Sequence, residues 1–282
     1  KLLVLYFWPS ILGLIFVEKT WLIINVFRNY YLSKKINQNK ISKFKSIEND
    51  YPFLKKIFNL AWKNGVSGIL SIGITNFTGI IYAQIGSISN VNSYLISLRV
   101  LTLLRDFSKA PFYSKIPLLS KLRAENNLSL LIKTSQRNMT FSNLIFILGA
   151  AFIGLFAEDL LNFIKSNANL VETNLWILMS VAFFIHRYGS MHLQLYLTTN
   201  HIISHIIDSV SAIIFIILTL FLFEDYELYS FPISMIISYL CCHTWVSVSY
   251  SIKSLNTNFI FFEKYNIIII IFLIIIFYLI NA

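Results

Sequence analysis

Asn64–Leu98 reads NGVSGILSIGITNFTGIIYAQIGSISNVNSYLISL, with Lys63 before it and Arg99 after it, and it holds no charged residue. An uncharged, mostly apolar run of about 18 residues or more is long enough to cross a bilayer as a helix. This run is long enough to cross and turn back. Basic sequence lies on both sides. Segment 28–63 carries Arg28, Lys34, Lys35, Lys40, Lys43, Lys45, Lys55, Lys56 and Lys63, and segment 105–137 carries Arg105, Lys109, Lys115, Lys121, Arg123, Lys133 and Arg137. Lys and Arg accumulate on the cytoplasmic side of membrane proteins. Both segments therefore belong on one side, and an even number of crossings must join them. A helical hairpin turning near Gly86–Asn92 meets that condition.

Composition extends the argument to the whole chain. Hydrophobic residues make up 56 %, aromatic residues 16 % and charged residues only 13 %. A soluble domain carries about a quarter charged residues, so this chain lacks the polar surface to sit in water. The expected class is all-α: a polytopic membrane helix bundle of about eight transmembrane helices. The candidate spans are about 2–27, 64–85, 88–108, 139–157, 175–196, 206–223, 229–251 and 265–281. Glu158, Asp159 and Glu172 flank one loop and Glu224, Asp225 and Glu227 another. Alternation places both outside, and puts His186 to His205 and Lys253 to Lys264 inside. The net charge of +10 is then chiefly a topology signal, and nucleic acid is not an expected partner.

Several details stand apart from this scheme. Glu18 and Lys19 interrupt the first run, as a pair facing a cavity or as an interfacial break, and Pro9 would kink the same helix. Segment 111–137 suggests two short amphipathic surface helices, capped at Ser114, started by Pro117 and separated at Asn126 and Asn127. Cys241 and Cys242 are adjacent in an apolar run and imply no disulfide framework. The chain begins at Lys1 with no Met and no signal peptide pattern, so it is expected to start partway through a longer protein.

Catalytic signatures are missing. There is no GxxxxGK[ST] loop and no GxSxG elbow, so the chain is expected not to be an enzyme and to need no cofactor. Acidic residues are also absent from the middle of the later spans, with Asp106 and Asp208 near predicted span ends. A cation exporter would be expected to show a buried acid. Cationic and polar groups do occur within spans. Arg99 lies roughly 9 Å deeper than Arg105 along a helix. It could bind a diphosphate bidentately from a cavity wall, or snorkel to the interface. His186 and Arg187 interrupt an apolar helix, either as anion contacts or because the span ends there. Asn64, Gly68, Ser71, Thr75, Thr78 and Tyr82 share one helical face, with Asn76 and Gln84 nearby. That face can line a cavity or pack helices together. His201, His205 and Asp208 have a spacing that could hold a metal, but no further ligand completes it. Polar residues at a helix start explain them better, and no metal is expected.

The run from Leu98 to Glu125, LRVLTLLRDFSKAPFYSKIPLLSKLRAE, resembles the cytoplasmic end of a helix in the polysaccharide and oligosaccharide-lipid flippases. These belong to the multidrug/oligosaccharidyl-lipid/polysaccharide exporter superfamily. His186–His201, HRYGSMHLQLYLTTNH, is similar to the same group, and the resemblance covers about 60 to 280. It implies residues 1–27 as the last helix of a truncated first lobe and 28–63 as a basic cytoplasmic linker. It implies 64–251 as a six-helix second lobe and 252–282 as an additional C-terminal transmembrane helix. About five N-terminal spans would then be absent. The implied function is movement of isoprenoid-diphosphate-linked oligosaccharide across the bacterial inner membrane by alternating access. Membrane lipid and a proton or sodium gradient are implied partners, with a monomer as the working unit. The substrate-binding candidates are Arg99, Arg105, His186, Arg187, Gln84 and Asn76. The rival readings are an ion-coupled multidrug exporter of the same superfamily, and a membrane polysaccharide polymerase or acyltransferase. A polymerase should carry a large external loop, and an acyltransferase would need His186 as its catalytic base.

Overall fold

The computed structural model describes residues 11–36, 51–85, 88–163 and 169–267. The regular structure among them is helical throughout, so the chain is all-α. Contacts divide it into two compact units, Lys1–Ile57 and Phe58–Ala282. In the first unit, α1 (Ile11–Ile36) ends on Lys34 and Lys35, where cations meet the negative end of the helix dipole. It runs through Glu18 and Lys19 without interruption, and Lys19 is exposed. Of the two readings given for that pair, the interfacial break does not occur. Pro9 lies outside the described residues.

In chain order the remaining helices are α2 (Tyr51–Ile85), α3 (Ile88–Tyr113), α4 (Ile116–Ala124), α5 (Leu128–Phe163), α6 (Thr173–Leu197) and α7 (Ser204–Tyr226). A 3-10 turn (Glu227–Tyr229), α8 (Ser230–Ser238), a π-helical segment (Tyr239–Thr244) and α9 (Trp245–Ser254) continue almost end to end. Residues 259–267 form the last helix among the described residues. Segment 28–63, expected to be a linker, is helical at both described ends, since α1 runs to Ile36 and α2 starts at Tyr51. Leu128–Ala157 and Ser204–Ser254 are long and apolar enough to cross a membrane. The predicted spans 64–85, 88–108 and 175–196 also fall on helices; Arg99 and Arg105 dilute the apolar character of the second, and His186 and Arg187 that of the third.

Two buried clusters hold the second unit. One joins Tyr94, Leu101, Phe146, Phe183, Phe215, Phe231 and Tyr239. The other joins Phe112, Leu119, Leu131, Met191, Leu195, Leu255 and Phe262. Hydroxyl groups inside helices donate to the carbonyl one turn back, as in Ser97 to Ser93, Thr102 to Leu98, Ser135 to Leu131 and Ser190 to His186. Each satisfies its own donor without water. The outer surface is apolar: Ile69, Phe107, Leu155, Phe221, Trp245 and Ile260 are each more than 70 % exposed. An exposed apolar exterior of this extent marks an interaction with lipid or with another apolar surface.

Segment 111–137 departs from its prediction. Only α4 is a separate short helix, and 128–137 is the first part of the long α5. Pro117 does sit in the first turn of α4, but Lys115 occupies the N-cap, and the Ser114 hydroxyl donates backwards to the Pro111 carbonyl. The break falls at Asn126, whose φ of 58° is left-handed, a conformation that Asn tolerates better than most residues. Asn127 then caps α5 by accepting from the Leu130 N–H. Asn200 and Asn256 repeat the left-handed turn at φ 64° and 51°, after α6 and α9. Arg123 ties the three turns together. Its Nε donates to Thr198 Oγ1 at 2.7 Å, its Nη1 to the Ser254 carbonyl at 3.1 Å, and its Nη2 to Ser254 Oγ at 3.3 Å. Arg123→Ala should destabilise the unit by about 1–3 kcal/mol, the scale of hydrogen bonds to a charged group. A lowered thermal unfolding midpoint in detergent would register this, and unchanged melting would mean the bridge contributes nothing. Lysine should not rescue it, because one ammonium cannot span both acceptor residues.

Candidate functional site

A cavity of about 650 Å³ opens within the second unit between α2, α3, α6, α7 and the π segment. Helix α3 supplies its charged wall. Leu95, Arg99, Thr102, Arg105, Asp106, Lys109 and Tyr113 all line it. Leu95, Arg99, Thr102, Arg105, Lys109 and Tyr113 follow one another at three or four residues and so share one helical face, with Asp106 at its edge. Arg105 Nε meets Asp106 Oδ1 at 3.1 Å, and Lys109 Nζ meets the same oxygen at 3.1 Å. One carboxylate thus serves two cations, and Arg99 adds a third. This wall carries an excess of positive charge. Arg105 also lies over the Phe183 ring at 5.4 Å, a contact that holds the guanidinium in place.

Helix α6 presents His186, Ser190, Leu193 and Gln194 to the cavity, and α2 presents Ser67, Gly68 and Asn76. Four sequence-predicted residues, Arg99, Arg105, His186 and Asn76, therefore border one space. The side chain of Gln84 lies outside the described residues. Arg187 does not border the cavity. Successive residues on a helix point about 100° apart, and here His186 takes the cavity side while Arg187 turns away from it. Arg187 instead points between α3 and α5 and is fully buried. Its Nε donates to Ser108 Oγ at 2.9 Å and its Nη1 to Asn143 Oδ1 at 2.6 Å, with the Phe146 ring at 5.3 Å. The structure gives it a role in helix packing rather than in the cavity.

The expectation that the later helices lack a buried acid is corrected. Asp208 is 4 % exposed and lines the cavity. It sits one turn into α7, which the sequence reads as a span end, but Ser67 of α2 covers it. The Ser67 hydroxyl donates to Asp208 Oδ2. On the other side, His243 Nε2 lies 3.5 Å from Asp208 Oδ1, and the His186 ring lies 4.7 Å from the His243 ring. His243 reaches this position from the π-helical segment, where an extra residue per turn rotates the side chains that come after it. Gly189 permits the approach of α6, because a Cβ there would lie 2.9 Å from the Thr244 Cα and 2.7 Å from His243 Nδ1. The Thr244 hydroxyl meanwhile donates to the Ile185 carbonyl at 3.0 Å. His201 stands before α7, where its ring nitrogen Nδ1 lies 3.1 Å from the Thr199 carbonyl oxygen. It does not share a helical face with His205 and Asp208.

A second buried acid was read as part of a cytoplasmic loop. Glu263 is 1 % exposed, and its Oε1 lies 3.0 Å from His192 Nε2, itself fully buried. Asn266 donates to Glu263, and Asn143 donates to Asn266 Oδ1 at 3.0 Å. A continuous polar chain thus runs from the last helix through α5 to Arg187 and Ser108. It lies apart from the cavity lining and binds helices to one another.

No protein-family model, curated protein or solved structure matches this chain.

Proposed function

We infer that this chain is the second lobe of a flippase that moves isoprenoid-diphosphate-linked oligosaccharide across the bacterial inner membrane by alternating access. The observation that carries the reading is the cavity lining, where the three cations Arg99, Arg105 and Lys109 outnumber the two carboxylates Asp106 and Asp208. Guanidinium groups bind a diphosphate through paired, charge-assisted hydrogen bonds. Asn76, Ser190 and Gln194 are suited to sugar hydroxyls. The apolar exterior and the two long apolar stretches support a multi-pass bundle of about eight spans. The reading needs no covalent chemistry, so the chain acts as a transporter and not as an enzyme. Its partners are the lipid-linked oligosaccharide, membrane lipid and a proton or sodium gradient, and its working unit is a monomer.

The test is the double variant Arg99→Ala, Arg105→Ala expressed in the native host. Each lost charged contact is worth about tenfold in affinity. Surface polysaccharide should fall by about tenfold or more while the variant still inserts in normal amount. Normal polysaccharide from an inserted variant would reject the reading.

A second reading is favoured by Asp208, a buried carboxylate on the cavity wall. An ion-coupled multidrug exporter of the same superfamily would use such a group to bind a cation. In that case Asp208→Asn abolishes efflux of cationic drugs, and the double arginine variant leaves polysaccharide unchanged.

A further inference from the structure

We propose that Asp208 and His243 form a proton-binding site linked to anion binding at Arg99 and Arg105, so that the cavity takes up a proton together with its anion. This rests on the anion-binding reading of the cavity and adds a second, chemically distinct ligand to it.

The geometry places a carboxylate and an imidazole within ion-pair distance of each other on the cavity wall. Asp208 and His243 are 4 % and 2 % exposed, yet both border the cavity. A hydroxyl donates to one carboxylate oxygen, and an imidazole nitrogen stands 3.5 Å from the other. His243 Nδ1 is buried against Gly189 and has no hydrogen-bond partner among the described residues. A sodium ion suits the site poorly, because hard cations want several oxygen ligands. Here one oxygen already accepts from Ser67 and the other faces nitrogen.

The surrounding charges set the sign of the linkage. Arg99, Arg105, Asp106 and Lys109 face the pair from α3, His186 faces it from α6, and Tyr239 and Cys242 flank it on the π segment. With the cavity empty, the α3 cations share that cavity with the carboxylate. A bound anion neutralises those cations and adds its own negative charge nearby. Repulsion between it and Asp208 is relieved when the pair gains a proton. That proton comes from a hydronium ion in the cavity water, whose O–H bond breaks to leave water, and it adds to a carboxylate oxygen of Asp208; no other bond changes. Carboxylate and imidazole titrate together, so the macroscopic step belongs to the pair.

Infrared difference spectroscopy of the full chain in lipid nanodiscs, titrated from about pH 4 to about pH 9, tests this with inorganic pyrophosphate as the anion. A protonated-carboxyl carbonyl band should grow on acidification, vanish in Asp208→Asn and remain in Glu263→Gln. Pyrophosphate should move its midpoint to higher pH by about one unit, a tenfold change in proton affinity. The pyrophosphate arm needs only the native chain, so poor folding of a variant cannot obscure it. A band that survives Asp208→Asn, or a midpoint unmoved by pyrophosphate, overturns the proposal. A midpoint that moves when sodium chloride replaces potassium chloride overturns it in favour of a cation site. Failure of the flippase reading is seen elsewhere, as normal polysaccharide in the double arginine variant.

Discussion

Arg187→Ala is expected to destabilise the second unit by about 2–5 kcal/mol and to lower the yield of monodisperse protein from the membrane. Two sources add. The change removes charge-assisted hydrogen bonds to Ser108 and Asn143, each worth about 1.5–3 kcal/mol, and leaves those groups buried without that partner. It also empties the space of the largest fully buried side chain among the described residues, where large-to-small changes cost about 2–5 kcal/mol. The sum is reduced because the desolvated charge disappears with the side chain. Arg187→Met separates the contributions, since it fills the space without the charge. Methionine should recover part of the loss, and the remainder measures the hydrogen bonds. Thermal unfolding in detergent and the elution profile give the comparison. If Arg187→Ala melts like the native chain and transport alone is lost, Arg187 returns to the transport pathway and the packing role assigned to it is rejected.

The contrast between Arg187 and its neighbour shows what the sequence carries. That a charged group interrupts the apolar run of α6 is plain from the residue types. Which way each group points is not, because one residue of uncertainty in helix phase is about 100° of rotation. His186 and Arg187 therefore read as one feature and turn out to serve two. The face of α3 was more legible. Arg99 and Arg105 were evident, and Thr102, Lys109 and Tyr113 could have been added from the same three- and four-residue spacing. The break at Asn126 was legible too, and its left-handed backbone is one that few residues tolerate. Asp208 was missed because distance from a helix end says nothing about a neighbour that covers it. Ser67 supplies that cover from far along the chain. His243 was missed because the π segment breaks the 3.6-residue period on which any facing argument depends. Glu263 was read as part of a loop because Lys253 and Lys264 flank it and basic residues gather outside spans, whereas it is helical and buried.

Glu263 leads to the other large expected effect. Glu263→Ala should cost about 3–5 kcal/mol, the penalty for breaking a buried pair from one side. His192 is fully buried and Glu263 is 1 % exposed, so water cannot replace the lost partner. Asn266 loses an acceptor as well, and the disturbance passes through Asn143 toward Arg187. Effects within one network are not additive. Arg187→Ala combined with Glu263→Ala should therefore cost less than the two single changes summed. The double change His192→Leu, Glu263→Leu is the informative control. Replacing both members of a buried pair by apolar groups of similar volume is often neutral or better, so it should melt close to the native chain although each single change melts far below. If Glu263→Ala is as mild as the double change, the contact is not a tight buried pair. The polar chain from the last helix to α5 would then contribute little, and the attachment of residues 259–267 would rest on apolar packing around Phe262.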